Sequence, residues 1–431
     1  MASTKTWHVL RAVVVLAMVA ALSGCWLQPG VGPDRGNWNP VETALTAATV
    51  AGLEPQWSSP IGGGPSSYEA LAPVVVGNAV FATLEADDSW GHILATRLDA
   101  TTGEEDWTTA AQLCCLDGSS ALNPTAQSPV WQGGKLLLPF TYEGRQAGSG
   151  IEALAGGTGD EVPGFGYSAP CAGSVCWPRS HQLTVNGNQR VWATVVTSSD
   201  GGSTPLTHSE ISGLSYTPGL VFNEGGAFAL AIDGSERVAW QLGTRMVGYA
   251  PGCLPNGQIP RLCNPTWTAS VGSAVGAPAI SGESVVFSAG DGTVRVLDLA
   301  TGAERWRGNA GVSTLLGPVV TEDEIIIASG GTVVALPLDG CGAAVCEPLW
   351  TGQTGATGVA TTPAAAGDVV YVATTGGGIV AFGTHGCGTP TCSPLVTLST
   401  ATEVSGGPVI DGGRVFAGLS NGEVVAFGLP G

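Results

Sequence analysis

The chain has 431 residues, 34 acids against 15 lysines and arginines, and a formal charge of −19. So acidic a chain has no basic footprint for phosphate backbones and is not drawn to an anionic lipid surface, which argues against nucleic acid as a partner. Only 11% of residues are charged, so solubility rests as much on small polar residues, and 66 glycines indicate a chain made largely of turns.

The first 24 residues read as a signal peptide. Lys5, His8 and Arg11 precede an unbroken apolar run from Ala12 to Leu22, and Leu-Ser-Gly-Cys follows at 22–25. That run is shorter than the about 20 residues a membrane-spanning helix needs, and a short apolar core behind a basic start is a secretory signal. Its ending resembles the bacterial lipoprotein signal, which implies cleavage before Cys25 and a lipid on that cysteine. The expected organisation is a signal peptide over 1–24, a lipid-anchored tether and lead-in over 25–52, and a folded domain over 53–431. That places the protein in a bacterial cell envelope, held to the bilayer by its acylated N-terminus. The site is the outer side of the cytoplasmic membrane or an outer membrane.

A repeated unit fills the remainder. "LEPQWSS" (53–59) carries Trp57 with no strands ahead of it, and "APVVVGNAVFATLEADDSWGHILATRLDATTGEEDW" (72–107) is the first full copy. A looser copy covers 128–162. "HQLTVNGNQRVWATVV" (181–196) opens another, and "GGAFALAIDGSERVAW" (225–240) reads as its second half after a polar insertion. Copies at 277–306, 317–350, 362–396 and 407–428 follow, with prolines 278, 318, 363 and 408 spaced 40, 45 and 45 residues apart. Each copy parses as short strands. One strand meets a turn such as Gly282-Glu283, and a Val/Ile/Phe run leads to an Asp-Gly or Asn-Gly hairpin such as Asp291-Gly292. A third strand then reaches a Thr-Gly turn and an outer strand bearing Trp107, Trp240, Trp306 or Trp350. Ile325-Ile326-Ile327 does not alternate with polar residues, as suits a strand buried on both faces. Four antiparallel strands per period of about 45 residues predict an all-β chain folded as a single β-propeller. It has seven blades, or eight if 181–240 holds two. The last copy stops at its third strand, so the 53–59 segment completes it and closes the ring.

Eleven cysteines in an exported chain read as disulfides. With Cys25 set aside for lipid, the close pairs are Cys171/Cys176, Cys253/Cys263, Cys341/Cys346 and Cys387/Cys392. Each staples one loop, worth about 2 kcal/mol in the chain-entropy model. Cys114 and Cys115 remain and are expected to bond to each other. The alternatives are two free thiols or exchange with Cys171 or Cys176.

The unit resembles the pyrroloquinoline-quinone (PQQ) propeller repeat, matched by Gly292, Val294, Leu297, Asp298, Thr301, Gly302 and Trp306, and by Ile93, Leu98, Asp99, Thr102, Gly103 and Trp107. Residues 37–57 are similar to the lead-in of soluble quinoprotein dehydrogenases. That family contains enzymes holding PQQ and a metal on the axis, some with a disulfide between adjacent cysteines against the quinone. It also contains non-enzymatic envelope propellers, such as the lipoprotein of the outer-membrane β-barrel assembly machine. PQQ carries three carboxylates and needs cations, which are scarce here. Asp99 and Asp298 sit where a side chain caps its own turn, and the histidines left after cleavage (His92, His181, His208, His385) are far apart in sequence. The sequence therefore gives no catalytic residue, no metal site and no cofactor. It reads as an interaction or scaffold module for other envelope proteins. A PQQ-dependent oxidoreductase is the alternative, and a carbohydrate-binding propeller using Trp90 or Trp177 the weaker one.

Overall fold

Within each repeat, runs of Val, Ile, Phe and Ala alternate with glycine-containing turns, and the runs pair as antiparallel neighbours. The computed structural model describes residues 26–63, 68–84, 92–112, 123–143, 148–163, 167–170, 182–185, 191–195, 206–212, 215–222, 227–235, 237–242, 244–250, 265–273, 275–314 and 316–431. The leader, Cys25, Cys114, Cys115, Cys171, Cys176, Cys253, Cys263, Trp90 and Trp177 lie outside them. Among the described residues the strands form eight sheets, each a blade whose innermost strand faces a common axis. Blade 5 shows the pattern: Ala279–Ser281, Ser284–Ser288, Thr293–Asp298 and Glu304–Asn309 pair in sequence order. The second strand of a blade is buried on both faces, as in Ser284–Ser288 and Val369–Ala373. Ile325, Ile326 and Ile327 lie in such a strand and are buried.

The eighth blade is built from both ends of the chain. Val404–Asp411, Arg414–Leu419 and Glu423–Gly428 supply three strands, and Glu54–Pro60 pairs antiparallel with Glu423–Gly428 as the fourth. The inner strand of blade 8 touches that of blade 1, Val74–Val76. The ring is closed.

The region between 181 and 270 holds two blades, not one. Gln182–Val185, Val191–Val195, Leu206–Ser212 and Ser215–Phe222 make blade 3. Ala227–Ile232, Val238–Leu242, Arg245–Tyr249 and Trp267–Ser270 make blade 4. The assignment of Trp240 to an outer strand is therefore corrected: it lies on the second strand of blade 4, fully buried, near the Tyr249 ring. The Asp233-Gly234 turn caused the misreading. It joins the first two strands of its blade, whereas the similar aspartate turn in blades 1 and 5 joins the last two. Trp267 is the outer-strand tryptophan, and its spacing of 39 to Trp306 fits the period.

Blades pack face to face through apolar side chains. Val286, Val296 and Trp306 of blade 5, for example, meet Ile325, Ile327 and Leu336 of blade 6. The turns after the first and third strands lie on one side of the ring, where they bond to each other: Ala100 N–H donates to Asn78 O, Leu299 N–H to Glu283 O and Thr384 N–H to Asp368 O. We call this the turn face. The opposite side, where chains cross from blade to blade, is the connection face.

Candidate functional site

An outer-strand tryptophan locks each of several blade pairs. Trp57 donates Nε1–H to Ala100 O (3.2 Å), Trp107 to Gly156 O (3.3 Å), Trp267 to Leu299 O (2.8 Å) and Trp350 to Thr384 O (2.7 Å). Each acceptor belongs to the third turn of the next blade. The indole lies on a glycine of that turn: a side-chain carbon at Gly103 would come within 2.6 Å of Trp57, at Gly302 within 2.5 Å of Trp267, and at Gly340 within 2.9 Å of Trp306. Gly302 has φ +70°, so this position needs glycine both for its backbone and for the ring above it. Asp298 caps the same turn through Oδ1, accepting from the Ala300 and Thr301 amides and the Thr301 hydroxyl, and its Oδ2 accepts from Arg305 at 2.7 Å. The Arg305 and Thr301 bonds hold its pKa down at about 2. Asp99 caps its turn in the same way. These residues are structural.

Blades 6 and 7 replace the aspartate turn with a cysteine loop. Cys341–Cys346 and Cys387–Cys392 are disulfides. Each loop lies against the preceding blade: Val345–Cys346 pairs parallel with Glu304–Asn309, and Thr391–Cys392 with Trp350–Gln353. Outer strands are exposed edges that invite pairing with foreign strands, and the stapled loops cover two of them.

The lead-in occupies the bore. An inner strand also has a free edge, and residues 26–39 offer carbonyls to it around the ring. Val75 N–H of blade 1 donates to Trp26 O, Trp131 of blade 2 to Leu27 O, Ile232 of blade 4 to Pro33 O, and Ile280 of blade 5 to Asp34 O. Val320 of blade 6 donates to Gly36 O and Ala365 of blade 7 to Asn37 O, all at 2.8–3.0 Å. Trp38–Asn39 then pairs in parallel with Ala365–Ala366, and Asn39 Nδ2 donates to Ile410 O of blade 8 at 3.1 Å. Buried backbone donors must find acceptors, and here one segment serves seven blades in ring order. Glu42 closes the circuit on the turn face: its Oε2 accepts from Gly413 N–H at 2.8 Å and its Oε1 from Ala44 N–H at 2.7 Å. Beside it, burial first and the Glu42 charge second push the Asp411 carboxyl up to about 7.

Above the lead-in, toward the connection face, an axial cavity of about 210 Å³ remains. Trp26, Arg35 and Asn37 form its floor, and Ser128, Thr362 and Ser405 stand around it at the starts of inner strands. PQQ does not fit this site. Its three carboxylates would meet one guanidinium among the described residues, in a bore already largely filled by the protein's own chain. Among the described residues no three His, Cys, Asp or Glu side chains are grouped to hold a metal ion. Neither the lead-in's course nor Arg35 was foreseeable from a pattern: "GVGPDRGNWNP" has no periodicity, and the hydrogen bonds that carry it around the ring are to residues distant in sequence.

Comparison with known proteins agrees with this geometry. Residues 264–430, from the outer strand of blade 4 to the end of blade 8, match the PQQ-type repeat family described as "Outer membrane protein assembly factor BamB". No curated protein matches the chain in sequence. The computationally designed protein Ika8 aligns over 84% of this chain and 97% of its own at 17% identity, with a TM-score of 0.58. The C-terminal WD40 domain of Sif2 aligns over 88% and 100% at 10% identity, with a TM-score of 0.59. BamB from Moraxella catarrhalis aligns over 87% and 99% at 15% identity, with a TM-score of 0.49. The first two show the fold, a propeller, and blades 5 to 8 match the PQQ-type repeat model.

Proposed function

We propose that this propeller, acylated at Cys25, is a protein-interaction scaffold on the outer side of a bacterial membrane. The observation that carries the reading is the filled bore. A propeller whose axis is largely packed with its own lead-in presents chiefly its faces and its rim to whatever it meets, with a small axial cavity in place of a cofactor chamber. Rigid, stapled loops lose little entropy on binding. The family that matches blades 5 to 8 is described as an assembly factor, which accords with partners among envelope proteins. Anchoring is supported by the position of Trp26: its carbonyl is already bonded to Val75, one residue after the proposed acyl site.

The rim offers a contact surface. Leu349 and Leu395 occupy equivalent positions in "EPLW" and "SPLV" and are 50% and 37% exposed, and Val345 of the first cysteine loop is exposed too. Cross-linking on intact cells should join the wild-type protein to an envelope partner, and a Leu349→Asp, Leu395→Asp variant should lose that product while keeping its thermal midpoint. Cross-links that persist unchanged would move the contact elsewhere on the surface. For anchoring, Cys25→Ser should release the protein to the soluble fraction or leave an uncleaved precursor; a variant still cleaved and membrane-bound removes that part of the reading. A quinone absorbance band that survives gel filtration after incubation with PQQ and calcium would return the protein to the oxidoreductases.

A further inference from the structure

We propose that Arg35 makes the floor of the axial cavity a receptor for a single carboxylate group. Its Nη1 is enclosed without a hydrogen-bond partner. Among the described residues no carboxylate engages the guanidinium; burial alone acts on it, lowering its pKa to about 10, so it stays charged at neutral pH. The neighbouring Asp34 side chain is solvent-exposed and forms no ion pair with the guanidinium. The side chain as a whole is half-buried, so the cation is partly withdrawn from water with no carboxylate partner among the described residues, which is unfavourable. It is retained here because the backbone is fixed. Arg35 and Asn37 are both in the left-handed region (φ +60° and +52°). The Asn37 amide ties that turn by donating to Arg35 O at 3.1 Å and to Pro318 O of blade 6 at 2.9 Å. Arg35 thus stands in the lining of a cavity that opens on the connection face, its guanidinium without a carboxylate partner among the described residues.

The size and charge of the site choose the ligand. About 210 Å³ equals roughly seven waters at about 30 Å³ each, room for a carboxylate with a short chain. One cation in a chain of net charge −19 suits a monoanion; a phosphate dianion would want a second positive group. The planar guanidinium fork matches a carboxylate. That carboxylate is either a small free acid or the end of a partner's chain reaching down the axis. The assignment does not depend on the anchoring or scaffold reading.

The test uses the full chain in detergent, titrated with sodium acetate against sodium chloride at matched ionic strength. Thermal midpoint and tryptophan fluorescence are followed, since Trp26 lines the same cavity. Acetate should raise the midpoint and change the fluorescence where chloride does not; Arg35→Lys should weaken the response and Arg35→Gln abolish it. A short peptide and its C-terminal amide separate the sources. A response to the free-acid peptide stronger than to acetate, lost in the amide, assigns the ligand to a partner's terminus; a response to acetate alone assigns it to a free acid. An acetate effect no larger than chloride's, an effect unchanged in Arg35→Gln, or a larger effect of inorganic phosphate overturns the proposal. Should Arg35→Gln not fold, Ser128→Leu, which fills the cavity from its rim, must remove the acetate response, and an unchanged response is equally fatal.

Discussion

At the scale of single residues, the tryptophan-on-glycine contact explains why the repeat spells Thr-Gly-x-x-x-Trp. The glycine of one blade is the seat for the tryptophan of the blade before it, so the two letters of one motif serve different interfaces. Gly302→Ala should destabilise by at least about 2 kcal/mol: a non-glycine residue at φ +70° costs about 1 kcal/mol, and its Cβ would sit against Trp267. Trp267→Ala should cost about 3 kcal/mol by cavity formation, and Trp240→Ala a similar amount despite lying on a different strand. Chemical denaturation of the three variants measures this. A silent Gly302→Ala would mean the seat is not filled. These residues were legible as a motif, because Asp298, Gly302 and Trp306 recur at fixed spacing. Which blade each one touches was not, since a repeat shows what is periodic and not which copy meets which.

Among elements, the two cysteine loops act across a blade boundary. Removing Cys341–Cys346 by double serine substitution should lower stability by about 2 kcal/mol, the loop-closure value for so short a ring. It should also loosen the neighbour: Arg307 N–H, which donates to Ala344 O, should lose hydrogen-exchange protection although blade 5 is unmutated. Protection unchanged at Arg307 would confine the staple to its own loop. The pairing of these cysteines could be read from spacing. Their attachment to the preceding blade could not, because a two-residue strand gives no signal in sequence.

At the scale of the whole molecule, the three carboxylates raised furthest among the described residues dominate the pH dependence. Burial, as the first cause, raises Glu324, Glu152 and Asp411 to about 7 each; Glu161 and Glu42 add repulsion at the latter two. The folded state therefore holds these protons more tightly than the unfolded chain does, and stability falls as pH rises from about 4 to about 7, then levels. The thermal midpoint should be higher near pH 5 than near pH 8. Glu324→Gln should flatten that slope and raise stability near pH 8 by on the order of 1 kcal/mol. A midpoint that climbs between those pH values would contradict the burial of these groups. Below pH 4 the sign reverses, because Asp298 and Asp99, held low by their turn bonds, then become protonated. Fold class, closure and strand order were all visible in the sequence, because periodicity survives where identity does not. The blade count was visible only as two alternatives, since Asp-Gly marks either hairpin of a blade.

The lead-in works like a hoop set inside the staves of a cask, and the hoop is made first. A chain delivered N-terminus first brings out residues 26–60 before any blade exists to receive them, yet Asn39 must find Ile410 and Glu54 must find Gly428. Contacts this remote in sequence close slowly. Until the last strand arrives, the outer latch lacks its partner, although Ile410 and Gly413 already give the inner hoop its final bonds. A protease added to chains stalled before residue 423 should cut within 54–60, and the same segment should resist cleavage once the chain is complete. The blades already made would be stacked but unlocked, which makes the last six-residue strand the step that commits all eight to a ring.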